Sequence, residues 1–205
     1  MTKKYIDLTK RLNASLTIYK DDDYEDPPFE TKPWAKIDQQ GYNVDQILLG
    51  TQTGTHIDAP LHFHKEGVSI EAIEPNDLIG DYYLIDFDSP NFNELSSLVN
   101  YKKQKIIFLK SIDNVFIISS EFLESLISIR SKLWILAGDV EIQNKPPFYF
   151  NQEIAKAGIF LVEDLDKEAC KNLPLKGKII ALPLNLEGVS GAPCRIILHT
   201  QHLSR

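Results

Sequence analysis

The stretch Gly50-Thr51-Gln52-Thr53-Gly54-Thr55-His56-Ile57-Asp58-Ala59-Pro60-Leu61-His62-Phe63-His64 decides how this chain reads. It sets a histidine, an aspartate and a second histidine at spacings of two and four residues. In an extended segment His56 and Asp58 project to the same side, because successive side chains alternate across a strand. Imidazole nitrogen and carboxylate oxygen together suit zinc, manganese or iron(II). Gly54 lets the backbone turn sharply or approach a ligand closely. Pro60 fixes the chain after Asp58 and can aim His62 back at the same point. A lone His-x-Asp would be an Asp-Ala-Pro turn with incidental histidines; the whole block reads as a metal site.

The rest of the chain narrows the class. It has 205 residues, with 29 acidic and 22 basic side chains and a formal charge of -7. That balance argues against a nucleic-acid partner, which would need a positive footprint. The length suits one domain, and no stretch is long or polar enough to be a linker, so residues 1–205 are expected to form a single unit. Cys170 and Cys194 are too few for a disulfide framework or a four-thiolate zinc site, and read as small buried hydrophobes. No run approaches the ~20 apolar residues of a spanning helix, so no membrane partner is expected. The opening Met-Thr-Lys-Lys-Tyr-Ile-Asp-Leu lacks a signal peptide's apolar core. A cytoplasmic protein with reduced cysteines is the expectation.

Strand signals fall at Lys4–Leu8, Ala14–Tyr19, Val44–Leu49, Tyr82–Phe87, Ile106–Leu109, Leu133–Ala137, Ile159–Val162, Lys178–Leu184 and Cys194–His199. Ile106–Leu109 is apolar throughout, which leaves no wet face and marks a buried strand. Leu133–Ala137 reads the same way, closed by Gly138-Asp139. Helices are expected over Asn91–Lys102, after the N-caps Ser119-Ser120, and over Asn151–Ala157. The acidic run Lys20–Asp26 before Pro27-Pro28 reads as a solvated loop. Strands and helices alternate through the middle, with strand-rich ends. The fold class is α/β, one domain with a mixed sheet and flanking helices.

The block resembles the signature His-x-Gly-Thr-His-x-Asp-Ala-Pro-x-His of the cyclase-like, metal-dependent hydrolase family, which includes bacterial kynurenine formamidase and isatin hydrolase. Gly54, Thr55, His56, Asp58, Ala59, Pro60 and His62 match it. Further short likenesses lie in order along the chain: Ile6-Asp7-Leu8-Thr9, Ile79-Gly80-Asp81-Tyr82 with Ile85-Asp86, Gly138-Asp139, Phe160-Leu161-Val162-Glu163-Asp164-Leu165, Ala181-Leu182-Pro183-Leu184, and Gly191-Ala192-Pro193-Cys194-Arg195. The resemblance implies a swivelling β/β/α-like fold. It implies His56 and Asp58 as metal ligands, Glu163 as a ligand of a second ion, and His62 as the general acid/base. Two positions depart from the pattern. The signature's first histidine is Gln52, and a later histidine is Asn151, twelve residues before Glu163. Amide oxygen is a weaker zinc ligand than imidazole. Asn151 is well placed to cap a helix, and Gln52 is equally read as a ligand or as a hydrogen-bonding turn residue. One divalent ion, zinc or manganese, is therefore expected rather than two.

The activity implied is hydrolysis of an amide, lactam or ester, as in conversion of N-formylkynurenine to kynurenine and formate in tryptophan catabolism. The metal would polarise the carbonyl and acidify water, and His62 would shuttle the proton, the ordinary task of imidazole. The alternative is a degenerate member that binds a metabolite or partner without catalysis. Trp34, Phe29, Tyr42 and Phe63 are candidates for a pocket that holds a small-molecule substrate's ring, Trp34 and Phe63 foremost. His64 is a minor candidate ligand, and His199 and His202 read as surface or core residues. The resemblance also implies a homodimer or higher homo-oligomer.

Overall fold

Alternation along the strands sorts the apolar residues onto the two faces of one sheet. The computed structural model describes residues 4–200. Its elements in chain order are β1 (Tyr5–Asp7), β2 (Glu30–Ala35), α1 (Ile37–Gln40), β3 (Val44–Leu48), β4 (His56–Asp58), β5 (Ile79–Asp86), α2 (Glu94–Ser97), β6 (Ile106–Ile118), α3 (Ser120–Ser128), β7 (Leu133–Ile142), α4 (Tyr149–Lys156), β8 (Phe160–Glu163), α5 (Lys167–Cys170), β9 (Gly177–Pro183) and β10 (Gly191–Thr200). Eight strands form one sheet in the order β1-β10-β4-β8-β7-β6-β5-β9, and β9 also pairs with β10. That extra pairing closes the sheet into a barrel, with β1 lying outside on β10. Strands β5 to β8 are parallel, and the pairings of β4, β9 and β10 are antiparallel. The mixed sheet expected from the sequence is the one found.

The inner face of the barrel carries Ile57, Tyr82, Ile106, Phe108, Ile135, Val162, Ile179 and Ile196, all buried in one cluster. The residues between them, Ile85, Ile107, Leu109, Trp134, Leu136 and Leu161, point outward. There they meet Phe122, Leu123 and Leu126 of α3, and Phe150 and Ile154 of α4. Ile106 to Leu109 have no exposed surface at all, since the barrel covers one face and the helices the other. Cys170 and Cys194 are buried free thiols, as their packing role requires, and burial pushes both up to about 12. Among the described residues no helix is long and apolar enough to cross a membrane.

Several expected elements differ. Ala14–Tyr19 forms no strand; its neighbour Lys20 pairs only with Glu25, in an isolated bridge that closes the acidic loop. The helix expected over Asn91–Lys102 is one turn, Glu94–Ser97, capped by Asn93. Strand β7 does not stop at Gly138-Asp139. It runs on to Ile142 beside β6, whose register shifts between Ser111 and Phe116. Val44–Leu48 pairs with β2, which the sequence did not signal because Pro33 interrupts it. This hairpin stands apart from the barrel sheet.

Truncation of an inner-face side chain tests this layering. Phe108→Ala should lower the unfolding free energy by about 3–5 kcal/mol. Leu182→Ala, which changes a half-exposed residue on β9, should change it by about 0.5 kcal/mol or less. Urea denaturation of both variants measures the difference.

Candidate metal centre

Strand β4 lies between β8 and β10, and its register builds the site. His56 is opposite Glu163 on β8, and Asp58 is opposite Leu161. On the other side Asp58 is opposite Gly191 and His56 opposite Pro193. Ile57 points into the barrel with its partner Val162, so His56, Asp58 and Glu163 share the outer face. Their ligand atoms lie within 4.8 Å of one another, the one such cluster among the described residues. Gly54 takes the left-handed conformation, φ 62°, just before β4. Its carbonyl lies 2.7 Å from His56 Nδ1. That contact holds a proton on Nδ1 and turns Nε2 toward Asp58 Oδ1, 3.2 Å away.

Gly191 is needed for room. A Cβ there would stand 2.7 Å from both Gln52 Nε2 and the Ile57 carbonyl oxygen. With no side chain at that position, the Gln52 amide reaches Asp58 Oδ1 and Ser190 Oγ, each at 3.4 Å. Gln52 thus donates to the site's carboxylate, while its own oxygen accepts from Thr51 Oγ1. Asn151 does likewise: its amide nitrogen is 3.4 Å from both Glu163 oxygens. It does not cap α4, whose N-cap is Phe148. It sits in the first turn, with its side chain turned to the sheet.

His62 lies on a short 3-10 turn, Pro60–His62, that follows β4. Its Nε2 is 4.0 Å from Asp58 Oδ2. Asp58 therefore stands between His56 and His62, one histidine on each oxygen. Phe63 packs edge-on against His62 with ring centroids 4.4 Å apart. Phe63 also lines a cavity of about 10 Å³ with Asp58, Asn151 and Leu161, roughly room for one water.

Other sequence candidates lie elsewhere. Trp34 is 72 % exposed on β2, and Tyr42 is also exposed. The structure brings neither to the metal cluster of its own chain. Phe29 borders a separate groove with Leu12, Leu16 and Leu49. His64 turns to Glu66, 3.6 Å away. His199 stacks on Tyr5 at 4.8 Å, and His202 lies outside the described residues. Arg195 forms a two-bond pair with Asp7 that ties β10 to β1. Two of the short sequence likenesses are thus structural partners of each other. Sequence reading gave no role to Gly191, Ser190 or Phe148; a glycine facing an aspartate across a ladder shows only once the register is known.

The charges fit a cation. Burial resists charge on His56, but the hydrogen bond and charge of Asp58, with Glu163 behind it, push the imidazole up to about 9. Burial and the charge of Asp58 raise Glu163. Burial opposes ionisation of Asp58 too, yet His56 and then His62 hold it below its ordinary value. The buried Asp58 carboxylate, the partly buried Glu163 carboxyl and an imidazole nitrogen converge, and in the metal-free protein protons on His56 and Glu163 hold them together. A divalent ion bound by these donors would take the place of those protons.

Residues 6–118 match the family model described as putative cyclase. The kynurenine formamidase of Geobacillus thermodenitrificans is 26% identical over 97% of this chain and 98% of its own length. One from Bacillus cereus is 24% identical over 96% and 98%. Among solved structures, a potential metal-dependent hydrolase with cyclase activity superposes with a TM-score of 0.71 at 22% identity, covering 97% of this chain and 98% of the other. An isatin hydrolase bound to the product analogue thioisatinate gives 0.74 at 19% identity, over 95% and 91%. These likenesses place the fold.

The proton on His56 sets a pH dependence. Its folded value lies above the ordinary 6.5, so between 6.5 and about 9 the folded state holds a proton that the unfolded chain has released. The stability this group contributes is complete below 6.5 and is lost as pH rises through about 9. The metal-free protein should lose up to ~1.4 kcal/mol per pH unit in that window relative to His56→Gln. Zinc also displaces the proton that Glu163 holds up to about 8, so it should bind up to about a hundredfold tighter per unit below that value and up to about tenfold above it. Thermal melts with and without zinc, from pH 6 to 9.5, check both. A wild-type curve parallel to that of His56→Gln would show that the proton is not held there.

Proposed function

Because the chain belongs to the putative cyclase family, we propose that it is a metal-dependent hydrolase of an amide, lactam or ester, of the arylformamidase type. The observation that carries this reading is the convergence of His56, Asp58 and Glu163 beside His62. The first three would hold one divalent ion, zinc or manganese. Such an ion supplies Lewis acidity, which polarises a carbonyl and acidifies water. The chain's own residues do the rest. Gly54 fixes the tautomer that presents His56 Nε2. Asn151 and Gln52 steady the two carboxylates with neutral donors. His62 lies partly exposed at the rim of the site. There it would accept a proton from water and return it to the leaving nitrogen or oxygen. The names of the full-length relatives support an aryl formamide, such as N-formylkynurenine, as the substrate.

A second reading is a binder without catalysis. Gln52 and Asn151 favour it, since each donates to a carboxylate and presents no oxygen to an ion. The readings separate by elemental analysis and a hydrolysis panel of N-formylkynurenine, lactones and lactams. His56→Ala and Asp58→Ala should abolish stoichiometric metal. His62→Ala should keep the metal and lose about 10²–10⁴-fold in turnover. Gln52→His with Asn151→His should raise metal occupancy. Wild-type protein that neither carries nor takes up a transition metal would end the enzyme reading.

The proposal includes a homodimer. Trp34, Ile37, Tyr42, Val44, Ile47 and Leu48 are exposed along the β2–β3 hairpin. A free two-stranded hairpin is at best marginally stable in water, and so large an exposed apolar surface marks an interface. Beside it runs a groove of about 1200 Å³ lined by Leu12, Leu16, Phe29, Ile47, Leu49 and Leu184. One chain thus offers an apolar ridge and, beside it, a trough whose leucines and Phe29 alternate with polar groups such as Lys10, Arg11 and Arg195, and a two-fold pair would bury the two together. Sedimentation analysis should find a dimer that Trp34→Glu with Ile47→Glu splits into folded monomers. A wild-type monomer at micromolar concentration overturns this.

A further inference from the structure

A row of aromatic rings leads outward from the site. From His62 and Phe63 it continues to Phe148, whose ring is 5.7 Å from Phe63, and then to Tyr19, 6.2 Å from Phe148. Phe148 is the unusual member. Its backbone lies in the left-handed region, φ 62° and ψ 5°. For a bulky residue that conformation is an outlier and is strained. Phe148 is also the N-cap of α4 and provides no side-chain cap. Asparagine or glycine would suit both the angle and the cap better. Burial does not compensate, for the ring is 48 % exposed. Strain kept at an exposed residue beside a cluster of buried charges is a feature of ligand-holding sites. The same turn sets Asn151 against Glu163 three residues later.

We propose that Phe148 is a specificity-determining residue. With Phe63 it forms a face against which the flat ring of an aryl substrate lies, while the substrate's carbonyl turns toward the ion that His56, Asp58 and Glu163 would hold. The two rings are tilted by 31°, and a third ring packs on such a pair by offset stacking or edge contact. The reaction rests on the hydrolase reading; the ring-binding role does not.

Calorimetry with benzoate and cyclohexanecarboxylate, on the protein with and without zinc, tests the binding face. The two probes share a head group and differ in having a flat ring. Wild type should prefer benzoate, and Phe148→Gly and Phe148→Leu should weaken benzoate about five- to tenfold with little change for the other probe. Phe148→Tyr should restore it. Phe148→Gly should also raise Tm, because it releases the strained angle. In turnover, KM for formanilide should rise and kcat change little, with N-ethylformamide unaffected. If the protein hydrolyses neither substrate yet keeps the benzoate preference, the hydrolase reading fails and this one stands. An unchanged benzoate preference in both Phe148→Gly and Phe148→Leu, or a wild type that binds neither probe, overturns the proposal. So does a Phe148→Gly variant of lowered Tm whose benzoate affinity is intact, which marks a purely structural residue.

Discussion

The site depends on the register of a three-residue strand. β4 is held by β8 on one side and β10 on the other. That pairing puts Ile57 inside the barrel and His56 and Asp58 outside it. A slip of one residue would exchange the faces. It would place an imidazole and a carboxylate in the apolar interior, where an unpaired charge costs several kcal/mol. The register is thus fixed by the barrel's need for Ile57 and Val162 on its inner face. The geometry of the cluster is a consequence of core packing. The same strand joins the parallel strands β5–β8 to the antiparallel ones, so the site sits at that junction.

Around this strand, each group that could disturb the carboxylates is neutral or absent. Gly191 leaves open the space opposite Asp58. Two amides fill the positions where the family signature and its later motif have histidine, and both turn their N–H groups to carboxylate oxygens. An imidazole at either position would bring a further titratable group beside a buried charge. An amide brings a donor that cannot ionise, and so holds Asp58 and Glu163 in place at any pH.

Much of this was legible in the sequence because most of the candidate residues lie on one short local stretch. His56, Asp58 and His62 are close along the chain, and alternation alone puts the first two on one face. Glu163 was reached through resemblance, since nothing local ties it to His56. The inner strands were legible from their unbroken apolar runs. The β2–β3 hairpin was not, because its apolar residues serve no core of this chain and Pro33 breaks the pattern. Ala14–Tyr19 has a strand's composition but no neighbouring strand to pair with, so its tertiary setting overrides its propensity. Asn151 was read as a cap because asparagine is a good one. The cap fell instead on Phe148, a residue that propensity would place there last, and no local rule foretells a strained phenylalanine.

Charge counting favours a single ion at this site. Asp58 is held ionised by its histidine neighbours, and with the proton of Glu163 displaced by a metal the two together would carry two negative charges. One divalent cation neutralises them, and the buried cluster becomes electrically balanced. A second cation would add two positive charges with no further anionic ligand among the residues that touch the site. Gln52 and Asn151 are neutral, and their donors repel a cation unless each amide turns over and leaves its carboxylate. That turn would also break the contacts of Gln52 with Ser190 and Thr51. In a buried place of low effective dielectric, such an excess of charge is far costlier than at a surface. On the proposed reading, the amides leave the carboxylates free to hold one ion and make a second one unfavourable. On this reading, proton transfer to and from the leaving group rests with His62, the one histidine of the site left outside the metal's ligand set.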